Sequence, residues 1–141
     1  MVKQWFVFAI IAAILWGIAP LFARIGISKT TPLAGVAIRS IVITIIVLFV
    51  LISSGQWKVF ATLNARTVTA IIIEGLLGGL IGQYLYFKAI KLQETSAVAP
   101  IVGSYPLFTF IFAILILGEK LTLTKGLDVI LVVSGIFLLG F

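Results

Sequence analysis

Apolar residues along this chain run in long unbroken stretches separated by short polar punctuation, with no two-residue alternation. The pattern predicts five helices, at about 4–23, 33–52, 67–89, 96–117 and 121–141. About 20 residues of helix cross a hydrocarbon core of about 30 Å, and only helices or closed barrels satisfy their backbone polar groups there. Runs without strand alternation favour helices. The expected fold class is therefore an all-α integral membrane protein of five transmembrane helices, forming a single membrane domain over 1–141. The apolar run after Lys3 is too long for a secretory h-region and ends at Arg24, so it reads as a retained first helix.

Helix punctuation sits at the joints. Thr31 before Pro32 reads as an N-cap with proline at the first helical position, Asn64 as the cap of the third helix, and Gly118 as the stop of the fourth. In the longest connection, 53–66, Trp57 and Lys58 suit the headgroup zone.

Composition narrows the function. Hydrophobic residues make up 62% and charged residues 10%, against about 25% charged in soluble domains. The ten Lys and Arg give a net charge of +6, but they are scattered at segment ends, which suits lipid headgroups rather than nucleic acid. With no Cys and no His, thiolate and imidazole chemistry and the usual zinc sites are excluded. The carboxylates Glu74, Glu94, Glu119 and Asp128 form no close pair in sequence. No catalytic residue, metal site or cofactor is expected, and no phosphate-binding glycine loop is present to harness a nucleotide.

The charges also bear on orientation. Lys3, Lys58, Arg66, Lys120 and Lys125 fall on one side of the five predicted spans, and Arg24, Lys29, Arg39, Lys88 and Lys91 on the other. An odd number of spans without charge bias permits insertion either way up, so two copies can form an antiparallel homodimer with inverted-repeat geometry. Orientation set by the first helix alone is the alternative.

Several motifs add to this reading. They are Leu15-Trp16-Gly17 with Pro20, Ala37-Ile38-Arg39, Tyr84-Leu85-Tyr86-Phe87-Lys88-Ala89, Thr95-Ser96-Ala97-Val98-Ala99, Tyr105-Pro106-Leu107-Phe108-Thr109, Leu117-Gly118-Glu119-Lys120-Leu121 and Ser134-Gly135. Together they resemble the EamA domain of the drug/metabolite transporter superfamily over nearly the whole chain. Common members look like two such five-helix units fused in inverted orientation, and this chain resembles one half-unit. The resemblance implies a pocket among the first four helices of each half, small solutes as substrates, and the plasma membrane of a bacterium or archaeon. It does not imply a substrate. The expected function is a secondary transporter, an exporter of metabolites or drug-like compounds working by alternating access. The alternatives are a heterodimer with an oppositely oriented paralogue, and a non-transporting scaffold or lipid-binding protein.

Candidate residues follow from cost and geometry. Glu74 lies about 10 Å inside the third helix at 1.5 Å per residue, where a carboxylate is expensive. It reads as proton carrier, counter-charge for a cationic substrate, or a snorkelling structural residue. Arg39 has a similar depth from the opposite side, so the two are far apart in one copy but level in an inverted dimer, which allows an intersubunit gating pair. Arg39 against lipid phosphate is the plainer alternative. Gly75, Gly78, Gly79 and Gly82 form small-residue patterns suited to close helix packing. Beside them Gln83, Tyr84 and Tyr86 are pocket candidates, as are Trp16, Ser104 and Tyr105. Pro20, Pro100 and Pro106 are expected inside helices, where proline removes a backbone hydrogen bond. With Gly17 and Gly103 they mark kinks.

Overall fold

The computed structural model describes residues 4–120 and 122–140. Lys3 in the charge count, and Leu121 and Phe141 at the ends of the fifth expected helix, lie outside the described residues, as does the side chain of Lys125. The described chain is all-helical. Helices α1 (Gln4–Ile27), α2 (Pro32–Ser53), α3 (Ala65–Glu74), α4 (Gln83–Leu92), α5 (Thr95–Val102), α6 (Tyr105–Leu117) and α7 (Leu123–Gly140) follow in order. A short 3-10 helix, Gln56–Thr62, precedes α3, and a π-helical segment, Gly75–Gly82, joins α3 to α4.

Among the described residues, four stretches are long and apolar enough to cross a membrane: Gln4–Ile27, Pro32–Ser53, Ala65–Leu92 and Thr95–Leu117. A shorter apolar stretch, Gly126–Gly135, lies within α7. Apolar side chains project all round these helices, with Trp5, Phe8, Phe22 and Phe49 exposed. Helices of that kind belong in lipid or against other helices.

The helix ends are built locally. Thr31 Oγ1 accepts the Ala34 N–H at 3.2 Å, with Pro32 opening α2. Asn64 Oδ1 accepts the Thr67 N–H at 2.8 Å and starts α3. Gly118 adopts φ 66°, and the Glu119 N–H reaches back to the Ala113 carbonyl at 3.2 Å. That bond, six positions back along the chain, satisfies a terminal carbonyl through a left-handed residue at 118 that an L side chain would adopt only under strain. Each of these three caps is where the sequence predicts it.

The chain divides into two compact units, 1–92 and 93–141. In the first, the end of α1, the start of α2 and α4 come together around Ile27, Val36, Phe87 and Ile90, all buried. Gly35 makes this approach feasible. A Cβ there would stand 2.5 Å from Ile27 Cδ1 and 3.1 Å from the Phe87 ring. Two cations lock the same end: the Arg24 guanidinium donates to the Ile90 carbonyl, and Lys91 Nζ donates to the Thr30 carbonyl. The Ile90 carbonyl lies in the last turn of α4, where the helix leaves it without an intrahelical partner, and the Thr30 carbonyl lies in the α1–α2 connection. In the second unit α7 packs on both α5 and α6, with Val98 buried.

Two expectations need correction. The helix expected at 96–117 is divided at Gly103–Ser104, where the Gly103 N–H bonds the Ala99 carbonyl at 2.7 Å and the Ser104 hydroxyl bonds the Ile101 carbonyl at 2.6 Å. Pro106 consequently stands in the first turn of α6 rather than in a helix interior. Its missing N–H costs nothing there, because first-turn amides have no intrahelical acceptor. Pro20 and Pro100 do lie inside α1 and α5.

Candidate functional site

Arg39 is the one residue that lines both open grooves described in the first unit. The larger, about 290 Å³, runs between α2 and the π-helical segment and is lined by Arg39, Ser40, Ile43, Thr44, Gly75, Gly79 and Leu80. The other, about 230 Å³, is walled by α1 residues Ala23, Gly26 and Ile27, by Thr30, by Gly35 and Ile38 of α2, and by Phe87. Helix spacing explains the first wall: Ser40 and Thr44 are four residues apart and share a face.

The opposite wall owes its flatness to glycine. A Cβ added at Gly75 or Gly79 would meet nothing within 4 Å, so no helix of the same copy packs against these two positions. The small-residue surface anticipated from the sequence is therefore open groove wall within one copy. Gly82 is different, because a Cβ there would come within 2.9 Å of the Leu77 carbonyl oxygen. That carbonyl lies five residues back, the spacing of π-helical hydrogen bonding. The wide turn and the missing side chain thus go together.

Glu74 stands at the junction of α3 and the π-helical segment, nine residues beyond Ala65. Its carboxylate runs along the helix over Gly78, with Oε1 3.4 Å from where a Cβ would be. Glu74 is exposed in the single copy, and it forms no ion pair with Arg39 among the described residues.

The remaining candidates are dispersed. Gln83, Tyr84 and Tyr86 are half-buried on α4, with the Tyr86 ring 6.4 Å from that of Phe87. Trp16 is exposed on α1 and lines neither groove. Gly17 has open space around it. Ser104 and Tyr105 belong to the second unit, at the break between α5 and α6. Three expected residues, Arg39, Gly75 and Gly79, are thus brought together, and Ser40 and Thr44 join them unforeseen. Their signal was the hydroxyl pair at four-residue spacing beginning next to an intramembrane arginine.

Apolar helices long enough to span, one of them carrying an arginine that faces open grooves, mark a multi-pass membrane protein. The chain belongs to the EamA-like transporter family, whose model matches residues 3–141. It is similar to an uncharacterized transporter of a Sinorhizobium species, 30% identical over 140 residues that cover 99% of both chains. An uncharacterized transporter of Archaeoglobus fulgidus is 25% identical over 77 residues, which make up 55% of this chain and 28% of that one. That relative is accordingly about twice as long. No solved structure matches the chain significantly. Family and relatives point to a transporter rather than an enzyme.

Proposed function

We propose that this protein is a secondary transporter of small solutes, an exporter in the plasma membrane, working by alternating access as an inverted homodimer. The observation that carries the reading is the match of one transporter-family unit to the whole chain from residue 3. Its basic residues, shared five and five between the sides of the expected spans, support insertion in both orientations, since a lysine and arginine bias is what normally fixes topology. A relative of about twice the length is consistent with a fused pair doing what two copies do here.

In the inverted dimer, Glu74 of one copy and Arg39 of the other fall in one leaflet. Their pairing closes one side, and its exchange for solute opens it. The glycines at 75 and 79, unused within a copy, then face solute or the second copy.

Topology is the decisive test. A single cysteine replacing Gln56, exposed on the 3-10 helix, can be labelled with an impermeant maleimide in intact and in opened cells. Labelling of about half the molecules from each side is expected. Labelling from one side alone sinks the inverted homodimer.

A further inference from the structure

We infer that the groove between α2 and the π-helical segment binds an oxyacid anion, a carboxylate or phosphate, so that the solute is a small organic anion rather than a cation. This rests on the transporter reading for its physiological meaning, but not for the binding itself.

The first ground is charge. Arg39 lies seven residues beyond Pro32, about 10 Å along α2 at 1.5 Å per residue, where a guanidinium needs a counter-charge or water. The groove lining contains no carboxylate. The nearest acidic residue in sequence to the opposite wall, Glu74, directs its carboxylate over Gly78, and neither Glu74 nor Gly78 lines the groove. A cationic solute would therefore meet an uncompensated arginine.

The second ground is donor geometry. Among the described residues, Arg39, Ser40 and Thr44 make no side-chain hydrogen bond. A guanidinium has five N–H donors in a planar fork matched to carboxylate and phosphate, and each hydroxyl adds one more. Three adjacent donors face a wall without Cβ atoms at 75 and 79. Ile43 and Leu80 supply apolar surface for the rest of the solute. About 290 Å³ is near the lower end of ligand sites, which suits a small organic acid.

The same chemistry is offered by a free solute and by an anionic phospholipid headgroup, and the experiment separates them. Full-length protein in phosphatidylcholine nanodiscs is titrated with radiolabelled benzoate, with benzylamine as the cationic control. A parallel sample containing phosphatidylglycerol is examined by native mass spectrometry for retained lipid. Saturable benzoate binding, absent for benzylamine and weakened at least about tenfold in Arg39→Gln, is expected on loss of a charge-assisted hydrogen bond. Gly79→Ala narrows the groove without touching Arg39 or any neighbour within 4 Å, and it should weaken benzoate as well. Retention of phosphatidylglycerol without benzoate binding, lost in Arg39→Gln, assigns the same site to lipid. The inference is overturned if neither anion binds, if benzylamine binds equally well, or if binding survives both substitutions. Because binding needs neither net transport nor dual topology, a failed labelling experiment leaves this result standing, and the reverse holds too.

Discussion

Replacing Gly35 by alanine should destabilise the protein by about 1–3 kcal/mol relative to the same replacement at Gly17, the range typical of overpacking. The Cβ at 35 would stand 2.5 Å from Ile27 Cδ1 and 3.1 Å from two atoms of the Phe87 ring. The isoleucine methyl is the free end of a side chain and can turn. However, Ile27 is only 2% exposed and Phe87 6%, so relieving one contact presses on the other. At Gly17 a Cβ meets nothing within 4 Å. Both changes gain the helix preference of alanine over glycine, roughly 1 kcal/mol, and that gain cancels in the comparison. Gly17→Ala is thus expected to stabilise slightly, and Gly35→Ala to lose about 0–2 kcal/mol against the native chain once overpacking and propensity are combined. Equilibrium unfolding in mixed micelles, followed by far-ultraviolet circular dichroism against detergent mole fraction, measures both. Equal midpoints for the two variants would refute the close approach of α1, α2 and α4 at Gly35.

Gly82→Ala should lower stability where Gly79→Ala does not, because the first places a methyl 2.9 Å from the Leu77 carbonyl and the second finds open space; indistinguishable unfolding midpoints would argue against the π-helical turn. Asn64→Ala should cost about 1 kcal/mol through loss of the N-cap bond to Thr67, with Asn64→Ser recovering most of it in the same assay. A loss no smaller in the serine variant would mean that the cap is not the cause.

What could be read from the sequence was whatever is decided within one helical turn. Thr31, Asn64 and Gly118 cap helices through bonds to residues three to five positions away, so residue type and spacing were enough. The long apolar runs likewise announce spans because the bilayer sets their length. Pro106 shows where local reading fails. Proline is compatible with a first turn and hostile to an interior, and the choice depended on whether the backbone stopped at Gly103–Ser104. The π-helical segment was hidden for a related reason, since four glycines permit close packing, a wide turn or an open wall equally well. Gly35 was overlooked because its role depends on Ile27 and Phe87, eight and fifty-two positions away. Ser40 and Thr44 do not stand out in the sequence, because hydroxyls four residues apart on an apolar helix line a groove only where the facing wall, here Gly75 and Gly79, is open.

Arg39 also gives the proposed cycle a physical basis. Were the protein to work as the proposed inverted dimer, two anions would compete for Arg39: Glu74 of the other copy and the oxyacid group of the solute. A groove of about 290 Å³ would have little room to seat both, so solute binding and intersubunit pairing would exclude each other. Two states can be exchanged by a ligand only to the extent that it favours one over the other, and displacement of a carboxylate by a carboxylate or phosphate supplies that difference with little net change in buried charge. The end of the first unit is tied by Arg24 on Ile90 and Lys91 on Thr30, whereas a Cβ at Gly75 or Gly79 would meet nothing within 4 Å, so under the proposed cycle the open wall rather than the tied end is where rearrangement would meet least resistance.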